Sequence, residues 1–92
     1  NTATGGEGGG IYSIDPLTIT NSTISNNRST VSSISGGTGG GISTRATLTL
    51  INTTIGYNAA PRGGGGIITD NSSSVTLRNT IIANNTGTGP SG

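Results

Sequence analysis

The fold is decided by the stretch GGGISTRATLTLINTTIGYN, residues 39–58, because the chain carries two further copies of it. The other copies are GGGIYSIDPLTITNSTISNN, residues 8–27, and GGGIITDNSSSVTLRNTIIANN, residues 64–85. Each copy has a glycine run that ends in Ile, then a short alternating stretch, then two recurring asparagines. A short unit repeated in this way is typical of a solenoid, in which successive units stack along one axis.

Within each copy the residue pattern predicts short β-strands. Leu48, Thr49 and Leu50 alternate apolar with polar side chains, which puts the two leucines on one face of a strand. Ile, Val and Thr suit a pleated sheet, whereas 18 glycines in 92 residues would weaken any helix interior. We therefore expect three short strands in every copy, which in the first copy are Ile11–Ser13, Leu17–Thr20 and Thr23–Ser25.

Parallel stacking of the copies would place apolar residues in columns inside a coil, with neighbouring strands about 4.8 Å apart. The columns are Leu17 over Leu48 over Val75, Ile19 over Leu50 over Leu77, and Ile24 over Ile55 over either Ile81 or Ile82. The prediction is thus an all-β parallel β-helix of about three rungs with three strands each, formed by residues 1–92 as a single module. The repeat-like opening and linker-like close lead us to expect a segment or processed unit of a larger repeat protein.

Two asparagine positions recur in every copy and mark predicted corners of the coil. An Asn tolerates the left-handed backbone of a turn, and a buried Asn amide can bond to the residues above and below it. We expect two stacked ladders, one of Asn21, Asn52 and Asn79 and the other of Asn27, Asn58 and Asn85. Just before the leading Ile of each copy, a glycine is expected to let the backbone turn tightly between rungs. These glycines are Gly10, Gly41 and Gly66.

Glycosylation sequons offer a competing explanation for several asparagines. They occur at Asn21, Asn27, Asn52, Asn71 and Asn84, yet a chain this rich in Ser and Thr generates them by chance. We interpret the repeated asparagines as structural. Asn71, in the stretch that is inserted in the third copy, is kept as the candidate glycosylation site.

The chain is poor in catalytic and metal-binding side chains. It has no His and no Cys, and its only acids are Glu7, Asp15 and Asp70, which lie at unrelated repeat positions. We therefore expect no catalytic centre, no metal site and no cofactor. The glycine runs also lack the Lys-Ser/Thr pair of a phosphate-binding loop and the following Asp of a calcium-binding nonapeptide repeat.

Composition argues against nucleic acid and against membrane insertion. Four Arg and three acids leave a net charge of +1, and the arginines fall at different repeat positions, so they form no basic stripe. Two Tyr are the only aromatic residues. No apolar run approaches the length of about 18 residues that a membrane-spanning helix needs.

The phrases LTITNSTISNN, residues 17–27, and VTLRNTIIANNTG, residues 75–87, resemble large bacterial surface proteins with right-handed parallel β-helix repeats. GGGI followed by a strand and Ile-x-x-Asn is also similar to the Gly-Gly-Ala-Ile and Phe-x-x-Asn motifs of polymorphic outer-membrane autotransporter passengers. The likeness extends from Gly8 to about Gly87. It implies a right-handed coil and an extracellular or cell-surface location. It implies no ligand, because this architecture hosts adhesins, lyases and stalks alike.

Two function classes follow. The first is a non-enzymatic structural protein, a building block of a filament or surface stalk whose uncapped rungs stack head-to-tail on further copies. The second is an adhesin or glycan-binding module with its contacts on residues 28–38 and 70–74. The expected partner is the chain itself in the first case and a glycan in the second.

Overall fold

Short parallel strands wind around one axis in the part of the chain that the structure describes. The computed structural model describes residues 1–4, 8–30, 39–60, 63–70 and 73–87. The strands within these ranges are β1 (Thr2–Ala3), β2 (Ile11–Ser13), β3 (Leu17–Thr20), β4 (Thr23–Ser25), β5 (Arg28–Ser29), β6 (Ile42–Thr44), β7 (Leu48–Ile51), β8 (Thr54–Gly56), β9 (Ala59–Ala60), β10 (Ile67–Thr69), β11 (Val75–Arg78), β12 (Ile81–Ala83) and β13 (Thr86–Gly87).

The strands stack into four sheets that run along the coil axis. Three sheets have the orders β2-β6-β10, β3-β7-β11 and β4-β8-β12, and the fourth has the order β1-β5-β9-β13. We call the turn of the coil that contains β2 to β5 rung 1, the turn with β6 to β9 rung 2, and the turn with β10 to β13 rung 3. The prediction of an all-β parallel β-helix with about three rungs is confirmed.

Each rung has one more strand than the sequence pattern predicts. The three expected strands of rung 1 form with the expected bounds, and a two-residue strand follows the second corner. Its counterpart in rung 2 is Ala59–Ala60. Two residues are too few to show the alternation that marks a strand in a sequence, so this fourth strand becomes visible only through its partners in the adjacent rungs.

The register of the sheets places the apolar columns. Leu17 pairs with Leu48 and Leu48 with Val75, while Ile19 pairs with Leu50 and Leu50 with Leu77. In the third column Ile55 pairs with Ile24 and Ile82. Ile81, the other candidate for this column, pairs with Thr54 on the outward face and is exposed. The core is thus centred on rung 2, where Ile42, Leu48, Leu50 and Ile55 are fully buried.

Two corners of each rung hold a residue in the left-handed backbone region. At the first corner these residues are Asn21, Asn52 and Asn79, with φ of 52°, 50° and 48°. At the second corner they are Asn26, Tyr57 and Asn84, with φ of 57°, 57° and 58°. The second recurring asparagine therefore does not itself take the left-handed turn. It follows the turning residue, and its side chain is free to point into the coil.

Candidate functional site

The second recurring asparagines form a column inside the coil, which we call the inner column. Its central member, Asn58, is 1% exposed. The Nδ2 group of Asn58 donates to Ile24 O at 2.9 Å and to Asn85 Oδ1 at 3.0 Å. Its Oδ1 accepts from the backbone N–H of Asn27 at 2.9 Å and from Asn27 Nδ2 at 3.1 Å. A buried amide is stable only when its polar atoms are bonded, and this one makes four hydrogen bonds.

The inner column has a direction along the axis. The backbone N–H of Asn58 donates to Asn85 Oδ1 at 2.9 Å, as that of Asn27 does to Asn58 Oδ1. Asn85 Nδ2 donates back to Ile55 O at 3.0 Å. Each of these side chains therefore points towards the preceding rung. The Oδ1 of Asn58 accepts from N–H groups of the asparagine in that rung, and the Nδ2 groups of Asn58 and Asn85 donate to a backbone carbonyl of that rung. The two ends of such a column are chemically different.

A contact of Asn1 at the rung 1 end of the inner column was missed by sequence reasoning. Its N-terminal ammonium group donates to Asn27 Oδ1 at 3.2 Å, the place that the Asn58 N–H takes on Asn85. The next two residues, Thr2 and Ala3, form β1 and pair with β5. The signal was present, because Asn1-Thr2-Ala3-Thr4-Gly5 resembles residues 85–89, Asn-Thr-Gly-Thr-Gly.

The glycines before each leading Ile pack against the inner column. A Cβ atom on Gly41 would lie 2.6 Å from Gly66 O and 3.1 Å from Asn58 Nδ2. One on Gly10 would lie 2.9 Å from Asn27 Nδ2, and one on Gly66 would lie 2.9 Å from Asn85 Nδ2. None of the three glycines has a left-handed φ. They lie at bends, as expected of rung turns, but the reason for glycine is close approach of the asparagine amide and, at Gly10 and Gly41, of a backbone oxygen of the next rung, rather than an unusual backbone angle.

The first recurring asparagines form an outer column at the first corner. Asn21, Asn52 and Asn79 are all exposed and all left-handed. Asn52 Nδ2 donates to Asn21 Oδ1 at 3.1 Å, at the surface. Because water competes for exposed amides, this column contributes mainly through the backbone angle that Asn tolerates.

A hydroxyl group after each outer asparagine braces the first corner, which sequence reasoning also missed. Ser22 Oγ donates to Thr20 O, Thr53 Oγ1 to Ile51 O and Thr80 Oγ1 to Arg78 O, each at 2.9 Å. The Asn-Ser/Thr pairs at this position therefore have a structural explanation in all three rungs. The available signal was their identical placement in the three copies.

The two ends of the coil differ in how much apolar surface they leave open. In rung 3, Val75, Leu77 and Ile82 are 40%, 49% and 42% exposed, although their counterparts in rung 2 are fully buried. In rung 1, Ile19 and Ile24 are each 9% exposed. The largest unburied part of the apolar columns is therefore at the rung 3 end.

Acidic and sequon residues are scattered over the described surface. Asp15 is exposed, and Asp70 Oδ1 accepts from Ser73 Oγ at 2.8 Å. Glu7 and Asn71, the candidate glycosylation site, lie outside the described residues. Across the described ranges no group of three or more His, Cys, Asp and Glu side chains could hold a metal ion, and no helix is long and apolar enough to cross a membrane.

A family model for the right-handed β-helix region matches residues 1–91. The chain belongs to the right-handed β-helix family. This β-helix is therefore right-handed, as the resemblance to bacterial repeat proteins implies, whereas the match does not address the likeness to autotransporter passengers. Comparison with curated proteins and with solved structures found no match. Family membership establishes the fold of the chain and leaves its activity open.

Proposed function

We propose that this β-helix is a non-enzymatic structural element of an extracellular or cell-surface protein, a rod segment of a stalk or filament. The observation that carries the proposal is the equivalence of the two ends of the coil. β1 and β13 occupy the same sheet, at positions that differ only by whole rungs. Asn1-Thr2-Ala3 and Asn85-Thr86-Gly87 are thus equivalent in position as well as similar in sequence.

The exposed apolar side chains of rung 3 support this proposal. Its strands pair with rung 2 in register, yet Val75, Leu77 and Ile82 lack the cover that the next rung gives to Leu48, Leu50 and Ile55. A further rung placed in the same register would bury this surface. Burial of apolar surface is the main favourable contribution to folding, so each added rung would stabilise the rungs below it.

An in-register fusion of copies tests the rod function. In this fusion, residues 1–84 of one copy are joined directly to residues 1–92 of the next. The junction then reads Ala83-Asn84 followed by Asn1-Thr2-Ala3, close to the natural Ala83-Asn84-Asn85-Thr86-Gly87. We expect the melting temperature to rise from one copy to two and to four copies, as in other solenoids. Small-angle scattering should show a rod of constant cross-section that lengthens by about 14 Å for every three rungs.

The matched control compares two variants of the two-copy fusion, which carry the same substitution in different copies. Leu77→Asp in the first copy puts a charge at the junction, where it would be buried, whereas Leu77→Asp in the last copy leaves it at the open end. We expect the first variant to melt far below the second. Equal melting temperatures, or a fusion that melts like the single copy and scatters as two jointed particles, would contradict the rod function.

A glycan-binding role is the second candidate, and Tyr57 is the observation that favours it. This residue is 65% exposed and has a left-handed backbone, a rare combination for a bulky side chain. Asn26 and Asn84 hold the same corner in the adjacent rungs and are also exposed. An aromatic ring beside amide groups can stack on a sugar and bond to its hydroxyls.

Glycan-array binding tests this second candidate. Tyr57→Asn would restore the residue type of the adjacent rungs and remove the ring, so recognition through Tyr57 predicts loss of all binding with no loss of stability. Tyr12→Asn, in β2 rather than at this corner, is the control and should leave binding unchanged. Binding that survives Tyr57→Asn would place the contacts elsewhere.

A further inference from the structure

The site that β1 occupies on rung 1 has the same hydrogen-bonding groups as the sites between rungs. The backbone N–H of Arg28 donates to Asn1 O at 2.8 Å. In the same way the N–H of Ala59 donates to Asn27 O at 2.9 Å and that of Thr86 to Asn58 O at 2.8 Å. Asn1 and β1 therefore stand where the fourth strand of a complete preceding rung would stand.

Among the described residues, β1 covers only one of the four strands of rung 1. In the described part of the chain, β1 adds a fourth strand to one sheet, while β2, β3 and β4 are the terminal strands of the other three. The N–H of Thr54 donates to Ser22 O at 2.9 Å, and that of Ile81 donates to Thr53 O at 3.0 Å. By register, the N–H of Thr23 points the same way, towards the side of rung 1 that faces away from rung 2.

Rung 3 presents the complementary groups: by register Thr80 O corresponds to Ser22 O and Thr53 O, which accept from the following rung, so it can accept from Thr23 N–H of another copy. The N–H of Leu17 donates to Thr47 O and that of Leu48 to Ser74 O, both at 2.9 Å and both towards the following rung. Val75 occupies the same register, so its N–H points outward from rung 3. The N–H of Asn85 likewise corresponds to the N–H groups that Asn27 and Asn58 donate to an Oδ1 of the next rung.

We propose that rung 3 of this chain binds rung 1 of a second copy head-to-tail, with β13 taking the site that β1 occupies. The inference rests on the proposed rod function, and it names the partner of the open end. In this contact Asn85 N–H meets Asn27 Oδ1 of the other copy. When β13 displaces β1, rung 1 pairs with the four strands of rung 3 instead of with one strand of two residues. The contact also covers Val75, Leu77 and Ile82.

The direction of the inner column favours this arrangement over a tail-to-tail pair. Two rung 3 ends brought together would face each other with Asn85 N–H donors on both sides and without the Oδ1 acceptor that this donor meets inside the coil. A head-to-tail contact instead repeats the direction of the inner column. Because the contact joins two different surfaces, it leaves one end free on each side and generates an open filament.

The experiment uses two variants, each blocked at one end. Thr23→Pro removes one outward N–H of rung 1, and Val75→Pro removes one outward N–H of rung 3. Both substitutions are at the first residue of a strand, where Pro is tolerated, and both place a proline ring in the contact. Thr23→Val and Thr76→Val, at exposed side chains of the same two strands, leave both N–H groups and the apolar surface in place and serve as matched controls. Circular dichroism melting of every variant verifies that the coil is intact.

Sedimentation velocity over a concentration series gives the decisive pattern. The unmodified chain should grow in mass without a limiting size, and the two controls should do the same. Each proline variant alone should stay monomeric. An equal mixture of the two should form dimers only, because one variant supplies a free rung 3 and the other a free rung 1. A chain shortened by residues 1–4 should associate at lower concentration, since β1 no longer competes.

Other outcomes overturn the proposal in distinguishable ways. A dimer of Thr23→Pro alone would mean tail-to-tail pairing, and a dimer of Val75→Pro alone would mean head-to-head pairing. If a proline variant fails to fold, hydrogen exchange of the unmodified chain is measured instead. The N–H groups of Thr23, Val75 and Asn85 should exchange more slowly as the protein concentration rises. Exchange rates that do not change with concentration would refute the contact. Monomers at all concentrations, together with a stable rod from the covalent fusion, would reject the filament and retain the rod function.

Discussion

Gly41 and Asn58 share one space in rung 2, which only one side chain can fill. A Cβ on Gly41 would lie 3.1 Å from Asn58 Nδ2 and 3.2 Å from its Cγ, and 2.6 Å from the backbone oxygen of Gly66. The amide that fills this space connects three rungs through its hydrogen bonds. The glycine run and the second asparagine of the repeat are therefore two halves of one packing arrangement.

Gly41→Ala should destabilise the chain. The new methyl group would press on a backbone oxygen and on the buried amide, and overpacking of this kind costs about 1–3 kcal/mol. Urea unfolding measures the change. Gly56→Ala is the matched control, since its Cβ would meet only Ala83 O at 3.5 Å, an ordinary contact. The control should be neutral or stabilising, and equal losses at the two positions would refute the shared-space explanation.

Asn58→Ala should lower the free energy of unfolding by about 3 kcal/mol or more, because each buried group left unpaired costs about 1–3 kcal/mol. Asn52→Gly, at the exposed outer column, keeps the left-handed turn and should cost less than about 1 kcal/mol. Thermal melting followed by circular dichroism measures both. If Asn52→Gly is as damaging as Asn58→Ala, the outer column carries more of the stability than its exposure indicates.

Leu50→Ala and Leu77→Ala remove the same side chain from the same column in adjacent rungs. Leu50 is fully buried, so its truncation should cost about 2–5 kcal/mol. Leu77 is half exposed, and its truncation should cost about 1 kcal/mol. In the two-copy fusion the Leu77 of the first copy becomes internal, and its cost should rise to that of Leu50. Denaturant unfolding of the single and fused chains tests this, and an unchanged cost in the fusion would show that the junction does not stack.

Tyr57→Asn should stabilise the coil by roughly 1 kcal/mol, because a bulky residue in the left-handed region is strained and Asn is not. Differential scanning calorimetry of the variant measures the gain. Tyr12→Asn is the control, since Tyr12 lies in β2 without a left-handed φ, and Asn is disfavoured in strands. A loss of stability in Tyr57→Asn would show that the ring packs on its surroundings more strongly than its exposure indicates.

The repeat spacing and the alternation were sufficient for the fold class and for most of the register. Alternation is a local property, because successive residues of a strand point to opposite faces whatever their neighbours are. Leu17, Leu48 and Val75 could therefore be aligned from the sequence. The Ile81-Ile82 pair could not be assigned in this way, because both residues are apolar and only the pairing with β8 shows which one points inward.

What the sequence by itself determined is a coil of parallel strands with apolar and asparagine columns, since those features depend on periods within one copy. Only the tertiary structure decided that Asn58 is buried and Asn52 exposed, that the inner amides all reach towards the preceding rung, and that the nitrogen of Asn1 bonds to Asn27 Oδ1. The physical reason is that an amide's partners and its burial belong to the adjacent rungs, from 26 to 34 residues away in the chain. No local pattern contains that information.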